Sequence, residues 1–234
     1  MSASIVLIYC AGGNKRNMQT AVDLGWHTGA RSDDRVYDIH RPLYLLDCHW
    51  TQYDWTRHVR VTRTERPMLA AVPDVLSLDE LPRALAQAEE LGSYCDRLLI
   101  IPKVGGLIAQ LPRLIAGRSV VLGFSVPTRY GATPVPAWEF SGWPVHLLGG
   151  TPRAQVRLAH YLDVVSADGN MAQKIANVGS VFTPTCGNAP LRTFMDDVTD
   201  DVPYTCFRLS LIHIRGYWAR HGFTIVPRQR EVPA

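Results

Sequence analysis

Three aspartates close apolar runs of the chain: Asp47 ends LYLLD, Asp74 ends AAVPD and Asp168 ends VVSAD. Carboxylates from separate segments that share one site are suited to nucleophilic attack or to general acid–base work, because each can tune the other's ionisation. A single aspartate in such a place more often caps the helix that follows it. Three of them, with Lys103 ending a fourth run, LLIIPK, favour a functional cluster. Other residues stand at the ends of these and the other apolar runs: Cys10 and Asn14, Arg31 and Ser32, His49 and Trp50, Ser125 and Thr128, Gly149 and Gly150, Ser166 and Asn170. Asp47, His49 and Asp74 could also ligate an ion. The other histidines fall at no ligand spacing, however, and HExxH, HxH and paired cysteines are absent, so metal chemistry is the lesser reading. Ser125 lacks the GxSxG elbow of a hydrolase nucleophile. Trp26, Trp50 and Tyr130 offer faces on which a planar ring could stack, although aromatic residues in such places more often serve packing.

These residues need elements to bring them together. Eight β-like runs recur at intervals of about twenty residues: 5–10, 26–30, 43–47, 68–73, 97–102, 119–125, 145–148 and 164–167. Helical spacing fills most of the gaps, over 15–24, 53–64, 78–91, 107–116, 152–161 and 171–178. Ser77 with Glu80 reads as a capping box, Thr151 caps a helix opening on Pro152, and Gly92, Gly117 and Gly179 stand at expected helix ends. Runs such as LLIIP and VVLGF are apolar at consecutive positions, as strands buried on both faces must be. The alternation predicts an α/β fold, a compact (β/α)8 TIM-type barrel over residues 1–182, with a C-terminal loop and helix over 183–234 packed on it. In that fold the catalytic residues sit at the C-terminal ends of the strands, where the polar residues above collect. An open doubly wound sheet is the runner-up. The first strand is followed by Ala11-Gly12-Gly13-Asn14 rather than GxGxxG, which weakens a dinucleotide site.

Composition bounds the rest. With 234 residues, 47% hydrophobic and 19% charged, the chain can bury a sizeable core, and disorder as its main state is excluded. No run approaches the roughly 18 apolar residues of a membrane span, and the N-terminus lacks a basic region and cleavage site, so a cytoplasmic protein with no membrane partner is expected. Five cysteines without CxxC read as reduced thiols. The net charge of +3 permits a nucleic-acid partner if basic residues cluster, as Arg57, Arg60, Arg63 and Arg66 do along one helix.

The segment HLLGGTPRAQVRLAHYLDVVSADGNMAQKIANVG, residues 146–179, resembles the tRNA-guanine transglycosylases, in which a Gly-x-Gly-x-Pro strand and helix lead to a strand ending in the nucleophilic aspartate. LYLLDCHW is similar to that family's strand carrying its second catalytic aspartate, and AVPDVLSLDE to the stretch carrying its base-recognising aspartate. The resemblance covers order and spacing over most of residues 5–180. The family's Cys-x-Cys-x-x-Cys zinc pattern is absent, which points to a short, zinc-free branch of the kind found in phage and bacterial DNA-modification or anti-phage systems. The resemblance implies a DNA N-glycosylase that flips out and excises a modified base, with no cofactor and no metal. Asp168 would be the nucleophile and Asp47 the acid–base partner. Asp74 and Lys103 would read the base, and Trp50 or Tyr130 would stack on it. His49, Ser125, Gly149, Gly150, Asn170 and Arg31 would complete the substrate site, with Arg129 and Lys15 near the phosphates. Exchange of guanine for a 7-deazaguanine in DNA or tRNA is the alternative, and a metal-dependent hydrolase the third reading.

Overall fold

Strands apolar at consecutive positions have two faces to bury, and a closed barrel wrapped in helices buries both. The computed structural model describes residues 3–10, 14–34, 40–49, 52–128, 132–185, 187–195 and 201–228. In chain order its elements are β1 (Ala3–Tyr9), α1 (Lys15–Asp23), β2 (His27–Arg31), β3 (Leu45–Asp47), α2 (Trp55–Glu65), β4 (Leu69–Ala71), α3 (Leu81–Gly92) and β5 (Arg97–Ile100). There follow β6 (Leu114–Ile115), β7 (Arg118–Ser125), β8 (Val145–Leu148), α4 (Pro152–Ala159), β9 (Val164–Gly169), α5 (Met171–Ala176), β10 (Ser180–Thr183), β11 (Gly187–Pro190), α6 (Val202–Arg220) and β12 (Phe223–Ile225). Parallel pairing runs β1-β2-β3-β4-β5-β7-β8-β9 and closes when β9 returns to β1, with Val6 opposite Ser166 and Tyr9 opposite Gly169. The fold is therefore a compact (β/α)8 TIM-type barrel. All eight expected strands are present.

Two apolar layers follow from strand alternation. Val6, Ile8, Leu45, Leu69, Leu99, Ile101 and Val121 fill the barrel interior. Leu7, Ala70, Leu98, Ile100, Val120 and Leu122 face outward and pack with Met18, Leu91, Val156, Ile175 and Phe207 of the helices. Two glycines make room inside. A Cβ at Gly29 would lie 2.2 Å from Cys10 Sγ, and one at Gly123 would lie 2.6 Å from Ile101 Cγ1.

The helices open on side-chain caps. Asn14 Oδ1 accepts from the Asn17 N–H, Asp54 Oδ1 from the Arg57 N–H and Thr151 Oγ1 from the Ala154 N–H. The Ser77 capping box does not form. Glu80 Oε2 accepts from the Leu76 N–H at 2.7 Å, and a 3-10 turn over Leu78–Glu80 leads into α3. The helix expected over 107–116 is likewise absent. Pro112 has no N–H to give and drives Leu111 to an extended ψ of 135°, so only a 3-10 turn, Ile108–Gln110, precedes β6. β6 then pairs antiparallel with β7 through the two-residue turn Ala116-Gly117, whose φ values of 47° and 74° suit a tight hairpin.

The stretch expected as an open loop from 183 contains β11, which pairs antiparallel with β10. Beyond it α6 buries Cys206, Phe207, Leu211 and Trp218 against the barrel's helices, and β12 pairs with β1 in parallel, Ala3 opposite Phe223. The C-terminal segment thus shares the outer core. Among the described residues no helix is long and apolar enough to cross a membrane.

Gly29→Ala should lower stability by about 1–3 kcal/mol through overpacking, read as a shifted urea midpoint, and Cys10→Ala in the same chain should recover part of the loss. Additive effects of the two substitutions would mean that Cys10 does not stand over Gly29.

Candidate active site

Alternation decides which strand-end residues enter the barrel mouth. Ile8, Leu45 and Ile101 occupy the interior, with Gly123 against Ile101, so residues of the same parity one layer higher, Cys10, Asp47, Lys103 and Ser125, stand above them. On β9 the register slips opposite Val145 and His146, and Ser166 meets the inward His146 while Asp168 follows two residues later. Asp74 comes from the extension of β4. There the pairing runs past the strand ends, with the Val75 N–H donating to Ile101 O at 3.0 Å and the Lys103 N–H to Val75 O at 2.9 Å. Main-chain bonds thereby fix both Asp74 and Lys103.

One side of the mouth is a cation held between two acceptors. Lys103 Nζ lies 3.2 Å from Asp74 Oδ2 and 2.7 Å from Ser125 Oγ. Burial raises the Asp74 carboxyl above the usual carboxylate range, and Lys103 opposes that shift. The other side is built on Asp168. Its Oδ1 accepts from the Gly149 N–H at 3.0 Å, and Gln155 Nε2 donates to both Gly149 O and Asp168 O at 2.7 Å, stapling the loop after β8 to the end of β9. Gly149 and Gly150 have φ of 62° and 82°, and a Cβ at Gly150 would meet Val126 Cγ1 at 2.3 Å.

Asp47 stands between these sides. Its carboxyl is pushed up to about 7, first by burial and then by the charges of Asp168 and Asp74, against the Cys48 N–H and Arg31, which pull it down. Burial, Asp168 and Asp47 likewise push the Cys10 thiol far above its ordinary range, so it is a neutral group and no thiolate nucleophile. A half-neutral acid beside a carboxylate held by a main-chain N–H is the division of labour that general acid–base chemistry uses.

The mouth therefore unites Asp47, Asp74, Asp168, Lys103 and Ser125, all expected from sequence. Gly149 serves through its N–H rather than a side chain. Arg31 pairs with β3 opposite Asp47, but its guanidinium is exposed and 3.0 Å from Asp33. His49 Nδ1 accepts from the Gln52 N–H at 3.2 Å, within its own loop. Asn170 precedes α5 and makes no side-chain cap. Trp50, Arg129 and Tyr130 lie outside the described residues. Sequence reasoning gave no role to Cys10, Gln155 or His146. A histidine inside a doubly buried run, VHLLG, was the available signal for the last. Among the described residues no three His, Cys, Asp or Glu side chains form a group able to hold a metal. A cavity lined by Leu7, Trp26, Ala167, Leu211 and Trp218 lies outside the barrel wall and touches the site at Gly150 and Asp168.

Residues 21–219 match the model of a family described as "Family of unknown function (DUF6610)". No curated protein matches the chain. Among solved structures the chain is similar to the X-ray crystal structure of the YdjI aldolase from Escherichia coli K12, at a TM-score of 0.52 and 8% identity over 94% of this chain and 91% of that one. At such identity the likeness speaks for the barrel fold and not for its chemistry.

Because the folded Asp47 binds a proton that the unfolded residue has lost, stability should fall as pH rises from about 4 to about 7. Asp47→Asn should accordingly stabilise the protein by roughly 1–4 kcal/mol at pH 8 and leave it unchanged near pH 4. Urea denaturation at both pH values checks this, and an equal effect at both would contradict it.

Proposed function

Since the chain belongs to DUF6610, a family of unknown function, we propose its activity from the site itself: it is an enzyme that breaks the N-glycosidic bond of a nucleotide in DNA and releases the base. The observation that carries this reading is that the barrel mouth brings together Asp47, whose carboxyl burial and the charge of Asp168 push up to about 7, and Asp168, held by the Gly149 N–H. Departure of a base develops positive charge at C1′ and negative charge on the leaving nitrogen. Asp168 beneath C1′ opposes the first, by charge or by bonding to carbon. Asp47, protonated, supplies a proton to the second. As the C1′–N bond breaks, its electron pair goes to the base nitrogen. Water then attacks C1′, and the Asp47 carboxylate takes the water's proton. The resemblance to the transglycosylases over residues 146–179 supports the same assignment of Asp168.

Base access requires the nucleotide to leave the stack, at a cost of a few kcal/mol recovered by contacts to the flipped base. Lys103 donates and Asp74 accepts side by side, a pairing suited to the hydrogen-bonding edge of a base. Hydrolysis and base exchange differ only in what attacks C1′ second.

The test is incubation with unmodified and hypermodified DNA and with tRNA, in the presence of EDTA, following released bases by mass spectrometry and abasic sites by alkaline cleavage. Release should persist in EDTA, fall by about 10²–10⁴-fold in Asp168→Asn and in Asp47→Asn, and decline above about pH 7 as Asp47 loses its proton. Incorporation of added free deazaguanine without base release would assign exchange instead. Full activity in Asp168→Asn would refute the role given to it, and loss of activity on chelation would favour a metal-dependent hydrolase.

A further inference from the structure

His146 enters the barrel interior from β8 and is fully buried. Its Nδ1 is 2.8 Å from Ser166 Oγ, and Ser166 also bonds the Tyr44 side chain. Its Nε2 is buried and has no hydrogen-bond partner. Asp168 Oδ1, 3.4 Å away, faces that nitrogen without the alignment of a hydrogen bond. A polar nitrogen sealed from water is costly to leave unpaired, and catalytic hydrogen bonds are often long before substrate binds.

Asp168 has acidic neighbours. Cys10 from β1 and Asp47 from β3 face it, and among the described residues Lys103 is engaged by Asp74 and Arg31 by Asp33. The Gly149 N–H already holds Oδ1 from the loop after β8. We propose that His146 is a positioning residue for Asp168: with its proton on Nε2 it donates to Oδ1, keeps the carboxylate anionic and leaves Oδ2 to meet the substrate. Ser166 Oγ–H then donates to Nδ1 and selects that tautomer. The sealed barrel interior thus reaches the mouth through one imidazole. The inference rests on the reading of Asp168 as the group beneath C1′, yet its central contact can be tested without any activity.

The experiment compares full-length wild type, His146→Leu and His146→Gln by ¹³C spectroscopy of labelled aspartate carboxyls, with Asp168 assigned by its loss in Asp168→Asn. The Asp168 carboxyl resonance should move in His146→Leu, which removes the donor, and return toward wild type in His146→Gln, whose amide also donates. On a substrate that is turned over, kcat should fall roughly tenfold or more in His146→Leu with little change in KM, and the acidic limb of the pH–rate profile should move upward. Should His146→Leu fail to fold, Ser166→Ala, which releases Nδ1, should move the resonance the same way. An unmoved Asp168 resonance in the folded variant, or His146→Gln no better than His146→Leu, would overturn the inference. A wild type that releases no base from any substrate would count against the glycosylase reading alone, since the spectroscopic comparison stands without it.

Discussion

Closure of β9 on β1 is the constraint on which the rest of the structure depends. Four consecutive pairs, from Val6 opposite Ser166 to Tyr9 opposite Gly169, turn an open sheet into a barrel without exposed edges among its eight parallel strands. That closure separates an interior apolar layer from an outer one, and above the interior layer it gathers one polar ring. It also carries Asp168, far along the chain, to the side of Cys10. Gln155 reinforces the seam by bonding the carbonyls of both Gly149 and Asp168.

A polar ring above an apolar plug is electrostatically tense, because several carboxylates share a site that water only partly reaches. The protein resolves the tension differently for each. Asp74 gains Lys103. Asp168 gains the Gly149 N–H. Asp47, with one N–H from Cys48 and an Arg31 whose guanidinium is paired with Asp33, is left to hold its proton to about 7. The three aspartates are thereby differentiated by their surroundings, and the proposed chemistry uses that difference.

Much of this was legible in the sequence, for physical reasons. Strands buried on both faces must be apolar at consecutive positions, so LLIIP, VVLGF and VHLLG announce themselves. Polar residues at the ends of such runs then point to Asp47, Asp168, Lys103 and Ser125. The helix expected over 107–116 failed because Pro112 outweighs a favourable apolar spacing, and the Ser77 capping box failed because Glu80 reaches Leu76 instead. The β10–β11 hairpin lies in a stretch whose Pro, Gly and Asp content reads as loop. The roles of His146 and Gln155 depend on which atoms meet across separate strands and helices, and no local pattern encodes that.

The most direct test of the account is the titration of the Asp47 carboxyl itself, by ¹³C spectroscopy in wild type and in Asp168→Asn. The expected result is a midpoint near 7 in wild type that falls when the neighbouring charge is removed. A midpoint near 4, or one indifferent to Asp168, would mean that the two carboxylates do not share a site, and the acid–nucleophile pair would have to be abandoned.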